Sequence, residues 1–193
     1  MRGGYGAKAA GRLSFFMMIL KTARLTLRPQ QQGDAPALFA ILNDPEAMRF
    51  WSHPPVTRLA VAVELLAEQQ AAMASGICRY WTVLEQGDVI GSVDLSRIND
   101  DSAELGFVFR PDRWGKGLAS ESVAEVVGHA LGPMSLKRLA SAIQVENRRA
   151  ARVLERTGFV LVDRRSVAIA GGQSRDCEFY LLRRDQSSTA KGR

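Results

Sequence analysis

The chain is poor in the residues that metal and redox chemistry rely on. It has two cysteines and two histidines in 193 residues. Cys78 and Cys177 lie far apart and follow no ligand spacing, which fits a reducing cytoplasmic setting with both thiols inside the fold. His53 and His129 are too few for a histidine-rich metal site. Long apolar runs are also missing. The apolar stretch Leu13 to Leu20 has eight residues, well short of a membrane span. Arg2, Lys8 and Arg12 before it imitate a signal peptide, but Lys21-Thr22-Ala23-Arg24 follows where a small-residue cleavage site would stand. No metal, redox cofactor or membrane is implied.

The net charge of +6 raises the question of nucleic acid. Its distribution answers against it. Residues 1–16 carry +3 and residues 183–193 carry +3, while residues 17–182 hold 19 basic and 19 acidic side chains. A neutral body between basic ends is no dedicated phosphate-backbone surface. The first sixteen residues are rich in glycine and alanine and lack periodicity. They read as a disordered extension upstream of a possible start at Met17-Met18. Residues 17–185 then form one domain, and 186–193 a disordered basic tail. The hydrophobic content of 46% suffices for a single core.

Thr22 to Arg28 alternates as a strand and stops at Pro29. Asp34 is placed to cap a helix over Ala35 to Leu42. Glu46 to Phe50 reads as a helical turn, followed by the extended loop from Trp51. Thr57 is placed to cap a second helix, with Leu59, Val63, Leu66 and Met73 on one stripe and Gly76 at its end. Three strands follow as an antiparallel meander: Arg79 to Leu84, Val89 to Ile98, and a third ending at Phe109. A helix over Leu118 to Leu131, a strand over Lys137 to Val145, a helix over Asn147 to Arg156 and two final strands complete the chain. The fold class is α+β: a mixed, mostly antiparallel sheet of about six or seven strands with helices on both faces.

The most informative stretch is Ala103 to Ser122. A strand runs through Phe107, Val108 and Phe109, turns at Pro111, and crosses Trp114, Gly115, Lys116 and Gly117. It then enters a helix at Leu118, Ala119 and Ser120. Strand, glycine turn and helix start suit a diphosphate, because the first helical N–H groups are unpaired and the macrodipole is positive there. Two nucleotide motifs fail. Ser120 takes the third glycine position of a dinucleotide fingerprint. For a P-loop, Lys116 lacks a following Ser or Thr.

Arg113-Trp114-Gly115-Lys116-Gly117-Leu118-Ala119 resembles the acyl-CoA pyrophosphate motif of the GNAT (Gcn5-related N-acetyltransferase) superfamily. The run Asn147-Arg148-Arg149-Ala150 through Gly158-Phe159 is similar to a second signature of its RimJ/RimL-type ribosomal-protein branch. Leu25 to Pro29 and Asn43-Asp44-Pro45 fit as well. The resemblance spans about 18–183 and implies a sheet splayed at the central strand, with Gly106 as the place where a bulge or splay opens it. It implies acetyl-CoA as co-substrate, held by Phe107 to Phe109, Trp114 to Ser120, Asn147 and Arg152. The reaction it implies is direct attack of a primary amine on the thioester: a peptide or protein N-terminus, or a small amine.

Glu104 is the first candidate for general base and Asp94 the second. A backbone N–H near Val108 or Phe109 would face the oxyanion. Trp51 and His53 are candidates for the acceptor pocket, and Trp81 reads as core. The chain departs from the family at two places. Leu154 stands where many members carry an acidic tyrosine, and Ala150 where the branch carries a serine. An acyl-CoA-binding module without catalysis is therefore the alternative. A monomer or a homodimer is compatible with all of this.

Overall fold

The computed structural model describes residues 18–51, 53–168 and 174–187. The expected extension over 1–16 and most of the basic tail lie outside these. The chain opens with β1 (Leu20–Lys21) and β2 (Leu25–Pro29), then a 3-10 turn and α1 (Ala35–Leu42). After α2 (Leu59–Ser75) come β3 (Arg79–Glu85), β4 (Asp88–Ser96) and β5 (Ser102–Phe109). Next are α3 (Leu118–Leu131), β6 (Arg138–Gln144), α4 (Arg148–Arg156), β7 (Val160–Ala168) and β8 (Ser174–Arg183). A short helix, α5 (Arg184–Ser187), takes in the first two residues of the expected tail.

All eight strands form one sheet in the order β1-β2-β3-β4-β5-β6-β8-β7. Every pairing is antiparallel except β5 with β6. One more strand is present than the pattern predicts, because Leu20–Lys21, ahead of the expected run, pairs back on β2, which itself starts at Leu25 rather than Thr22. Side chains alternate across the sheet and create two cores. Leu27, Val83, Val93, Leu105 and Leu139 meet α3 and α4 on one face. Val108 meets α1 and α2 on the other. Trp81 is core, as expected, and its indole N–H donates to the Met18 carbonyl at 3.3 Å.

Several local expectations are corrected. Asp34 makes no side-chain cap to α1. Its carboxylate instead accepts from Arg28 at 2.5 Å, from Thr82 at 2.7 Å and from the Gln31 N–H at 2.9 Å. Arg28 and Thr82 lie in the sheet and tie the turn to it. The N-cap of α2 is Arg58 rather than Thr57, without a side-chain cap. The buried positions of α2 are Ala62 and Leu66, whereas Leu59 and Val63 are exposed. An alanine-rich helix offers more than one apolar face, and packing on α1 selects the narrower one. Cys78 is buried, but Cys177 is half-buried beside the cleft described below.

Candidate active site

The parallel pairing of β5 with β6 covers only Ser102↔Arg138, Ala103↔Leu139 and Glu104↔Ala140. Beyond it the strands diverge, and the Ser141 hydroxyl spans the fork by donating to the Leu105 carbonyl at 3.0 Å. The register of β4 with β5 stays regular from Gly91↔Phe109 to Ser96↔Glu104, so Gly106 carries no bulge. The glycine serves a close approach instead. A Cβ there would lie 2.5 Å from Oδ1 of Asp94, its cross-strand partner.

The same register shows which backbone groups face the opening. The Arg110 N–H donates to the Ile90 carbonyl, so even-numbered residues of β5 address β4 and odd-numbered ones address the cleft. The carbonyls of Leu105 and Phe109 are taken by Ser141 and by the Trp114 indole N–H, the latter at 2.9 Å. Phe107 thus presents an N–H and a carbonyl, and Phe109 an N–H, to a ligand lying as a substitute strand. Val108 points its N–H at β4, which leaves Phe109 as the residue suited to an oxyanion.

The cleft measures about 1150 Å³ and passes through the sheet between its diverging halves. At one mouth stands the start of α3. Gly115 and Gly117 hold positive φ angles of 76° and 78°, which favour glycine. The first helical bond runs from the Glu121 N–H to the Gly117 carbonyl, so the N–H groups of Leu118, Ala119 and Ser120 have no helical acceptor. The loop is braced from the turn between β1 and β2. Arg24 donates to the Lys116 carbonyl at 3.0 Å and to Glu121 at 2.7 Å, while Thr22 donates to Glu121 at 2.5 Å. A braced ring of free donors at a helix N-terminus is an anion cradle.

At the other mouth, on the face of α1 and α2, stand Glu104 and the segment from Glu46 to Trp51. Glu104 is bound by Arg97 at 2.6 Å, and its side chain is 46% exposed. Asp94 lies across Gly106 on the same face, against that cleft-lining residue but not itself among those that line the cleft. Burial, then the neighbouring charge of Glu104, pushes its carboxyl up to about 7.

A family model described as acetyltransferase (GNAT) domain matches residues 24–160. The chain belongs to the GNAT acetyltransferase family. It is an acetyl-CoA-dependent N-acetyltransferase. Among relatives, the uncharacterised N-acetyltransferase p20 of Bacillus licheniformis is 27% identical over 147 residues, covering 74% of this chain and 83% of the relative. Spermidine N(1)-acetyltransferase of Vibrio cholerae is 27% identical over 140 residues, covering 72% and 80%. The Vibrio cholerae spermidine N-acetyltransferase structure with CoA and spermine superposes with a TM-score of 0.77 at 23% identity, covering 87% of this chain and 100% of that one. A RimL ribosomal L7/L12 alpha-N-protein acetyltransferase with coenzyme A reaches 0.79 at 19% identity, covering 86% and 98%. The likenesses to solved structures establish the fold.

In this acetyltransferase, Phe107, Val108, Phe109, Trp114, Gly115, Gly117, Leu118, Ala119, Ser120, Asn147 and Arg152 all line the cleft. Lys116 does not; it is exposed and contributes its carbonyl to the Arg24 brace. Asn147 caps α4, its Oδ1 accepting from the Ala150 N–H at 3.1 Å, so its amide N–H₂ still faces the cleft. Arg148 is committed to the fully buried Glu178 at 3.1 Å. Arg149 stacks over the Trp114 ring at 4.6 Å.

Trp51 lines the cleft at the mouth beside Glu104, whereas His53, with its ring centroid 5.5 Å from that of Trp51, does not line it. Leu154 is buried in the core, and Ala150 lines the cleft without a proton to give. Tyr180 lines the cleft, but its hydroxyl donates to Glu178 at 2.9 Å, and burial followed by that bond pushes it up to about 12. Sequence reasoning missed Arg49 and Arg175 in the cleft lining, because they come from segments far apart along the chain.

Proposed function

We propose that the enzyme transfers the acetyl group of acetyl-CoA to the α-amine of a peptide or small molecule, with Asp94 as the base. The observation that carries this is Asp94 beside Gly106 at the fork, with a carboxyl poised near neutrality. This reverses the order expected from sequence, where Glu104 stood first. Glu104 is engaged by Arg97, and its charge helps to hold the Asp94 proton.

In the reaction, the amine nitrogen attacks the thioester carbonyl carbon. The carbonyl oxygen takes the negative charge beside the Phe109 N–H. The C–S bond breaks as the tetrahedral centre collapses, the thiolate leaves, and the amine proton passes to Asp94. A thiol has a pKa of about 8.5, so its thiolate leaves without a strong acid, which suits Leu154 and Ala150. An α-amine with pKa of about 8 is neutralised at pH 7 for about 1.4 kcal/mol, against roughly 4.6 kcal/mol for a lysine. A base near 7 is matched to the first.

The test is CoA release from acetyl-CoA with free-amine peptides across pH. The wild type is expected to show an acid limb near pH 7 in kcat/KM. Asp94→Asn should lose about 100-fold, in the range of general-base contributions. Glu104→Gln should retain turnover while its acid limb moves to lower pH. Collapse of Glu104→Gln activity at every pH would return the base role to Glu104. No CoA release with any amine, while CoA still binds, would favour the non-catalytic reading.

A further inference from the structure

Charge at the acceptor mouth is asymmetric. Besides Asp94, which lies across Gly106, its acids are Glu46, Glu104 and Asp163, and each of these three already has an arginine: Arg149 at 3.4 Å, Arg97 at 2.6 Å and Arg165 at 3.4 Å. Arg49 and Arg175 line the same mouth and, among the described residues, have no carboxylate partner. Arg175 is half-buried on β8 and donates Nη1 to the Trp51 carbonyl at 2.7 Å, which among the described residues leaves its other N–H groups uncommitted. Arg49, two residues before Trp51, rests its guanidinium 5.2 Å from the Phe50 ring. Arg175 shares its sheet face with Cys177 and Phe179, opposite the face of Glu178 and Tyr180 that packs on α4. That separates the Arg49 and Arg175 pair from the helix that carries Asn147 and Arg152.

A polyamine needs free carboxylates for its distal ammonium groups; among the described residues Glu46, Glu104 and Asp163 are all paired, and Asp94 is reserved for the reacting amine. Two uncompensated guanidinium groups instead suit an anion, with forked N–H donors matched to a carboxylate. We propose that the acceptor is an amine that carries a carboxylate, recognised by Arg49 and Arg175 on either side of Trp51. This rests on the acetyl-transfer reading above for which end of the cleft takes the amine. The carboxylate has two possible sources: an acidic side chain near a peptide N-terminus, or the α-carboxylate of a free amino acid.

Calorimetry on the full chain loaded with CoA tests this without requiring turnover. The probes are the peptide amide Ser-Asp-Glu, its uncharged counterpart Ser-Asn-Gln, free glutamate and spermidine. Ser-Asp-Glu or glutamate should bind at least about ten times tighter than Ser-Asn-Gln and spermidine, about 1.4 kcal/mol. Tight Ser-Asp-Glu identifies the peptide source, and tight glutamate the amino-acid source. Arg49→Met should erase the preference without changing affinity for CoA. Arg175→Lys, which retains the charge but loses the fork, should weaken it several-fold. Equal affinity for Ser-Asp-Glu, glutamate and Ser-Asn-Gln, or tighter spermidine, would overturn the proposal. Failure of turnover with preserved acidic preference would count against the transfer reading and leave this one standing.

Discussion

At the scale of single residues, Gly106 and Asp94 form a matched pair. Glycine in the middle of a strand usually weakens it, yet here the missing Cβ makes room for the carboxylate opposite. Gly106→Ala is expected to push the Asp94 side chain aside. Turnover should fall at least about 10-fold, with thermal stability lowered only modestly, which kinetics alongside a melting curve will check. Asp94 also makes stability depend on pH. A carboxyl whose folded pKa is raised favours the fold most when protonated, below its unfolded value near 3.9. That contribution fades as pH climbs toward about 7. Asp94→Asn should therefore gain stability relative to wild type at pH 8 more than at pH 4, as urea titrations at the two pH values will show. Gly106 is visible in the sequence as an unusual strand residue, but its partner is not. Pairing Asp94 with Gly106 depends on the register of two strands joined by a turn.

At the scale of elements, the start of α3 is legible from sequence because every contributing feature is local. Two glycines with positive φ, a helix start and unpaired N–H groups follow from consecutive residues. Gly117→Glu should block the cradle with a like-charged carboxylate and weaken CoA binding at least about 100-fold, roughly 2.7 kcal/mol by calorimetry. Unchanged circular dichroism will separate that from unfolding. The brace from Arg24 to Glu121 was not legible, because its ends lie 97 residues apart. The stripe on α2 was misread for a related reason. Its alanines leave the choice of buried face to whatever packs against it, and α1 selects Ala62 and Leu66.

At the scale of the whole molecule, the sheet is two halves joined by a short parallel seam. The second half, from β6 to β8 with α4, is tied together by Glu178. This fully buried carboxylate accepts from Arg148, from Arg164 at 2.8 Å and from Tyr180. Glu178→Gln keeps the shape but removes the charge. Both arginines are more than half exposed and can regain water, so the loss is expected at about 1–3 kcal/mol, below that of a fully buried pair. Chemical denaturation will measure it. Hydrogen exchange should quicken in β7 and β8 more than in β3 and β4, since the tie lies within one half.

The sequence alone determined the order of elements, the glycine turn before α3, the cap at Asn147 and the membership in an acyl-CoA-binding family. Each of these is written in residues close together along the chain. Only the tertiary structure decided where the sheet opens, that Asp94 lies across Gly106, and that Arg175 of β8 bonds the carbonyl of Trp51, two residues after Arg49. Those arrangements depend on strand register and on packing between distant segments. A charge or a gap belongs to a site only once folding has brought its neighbours to it.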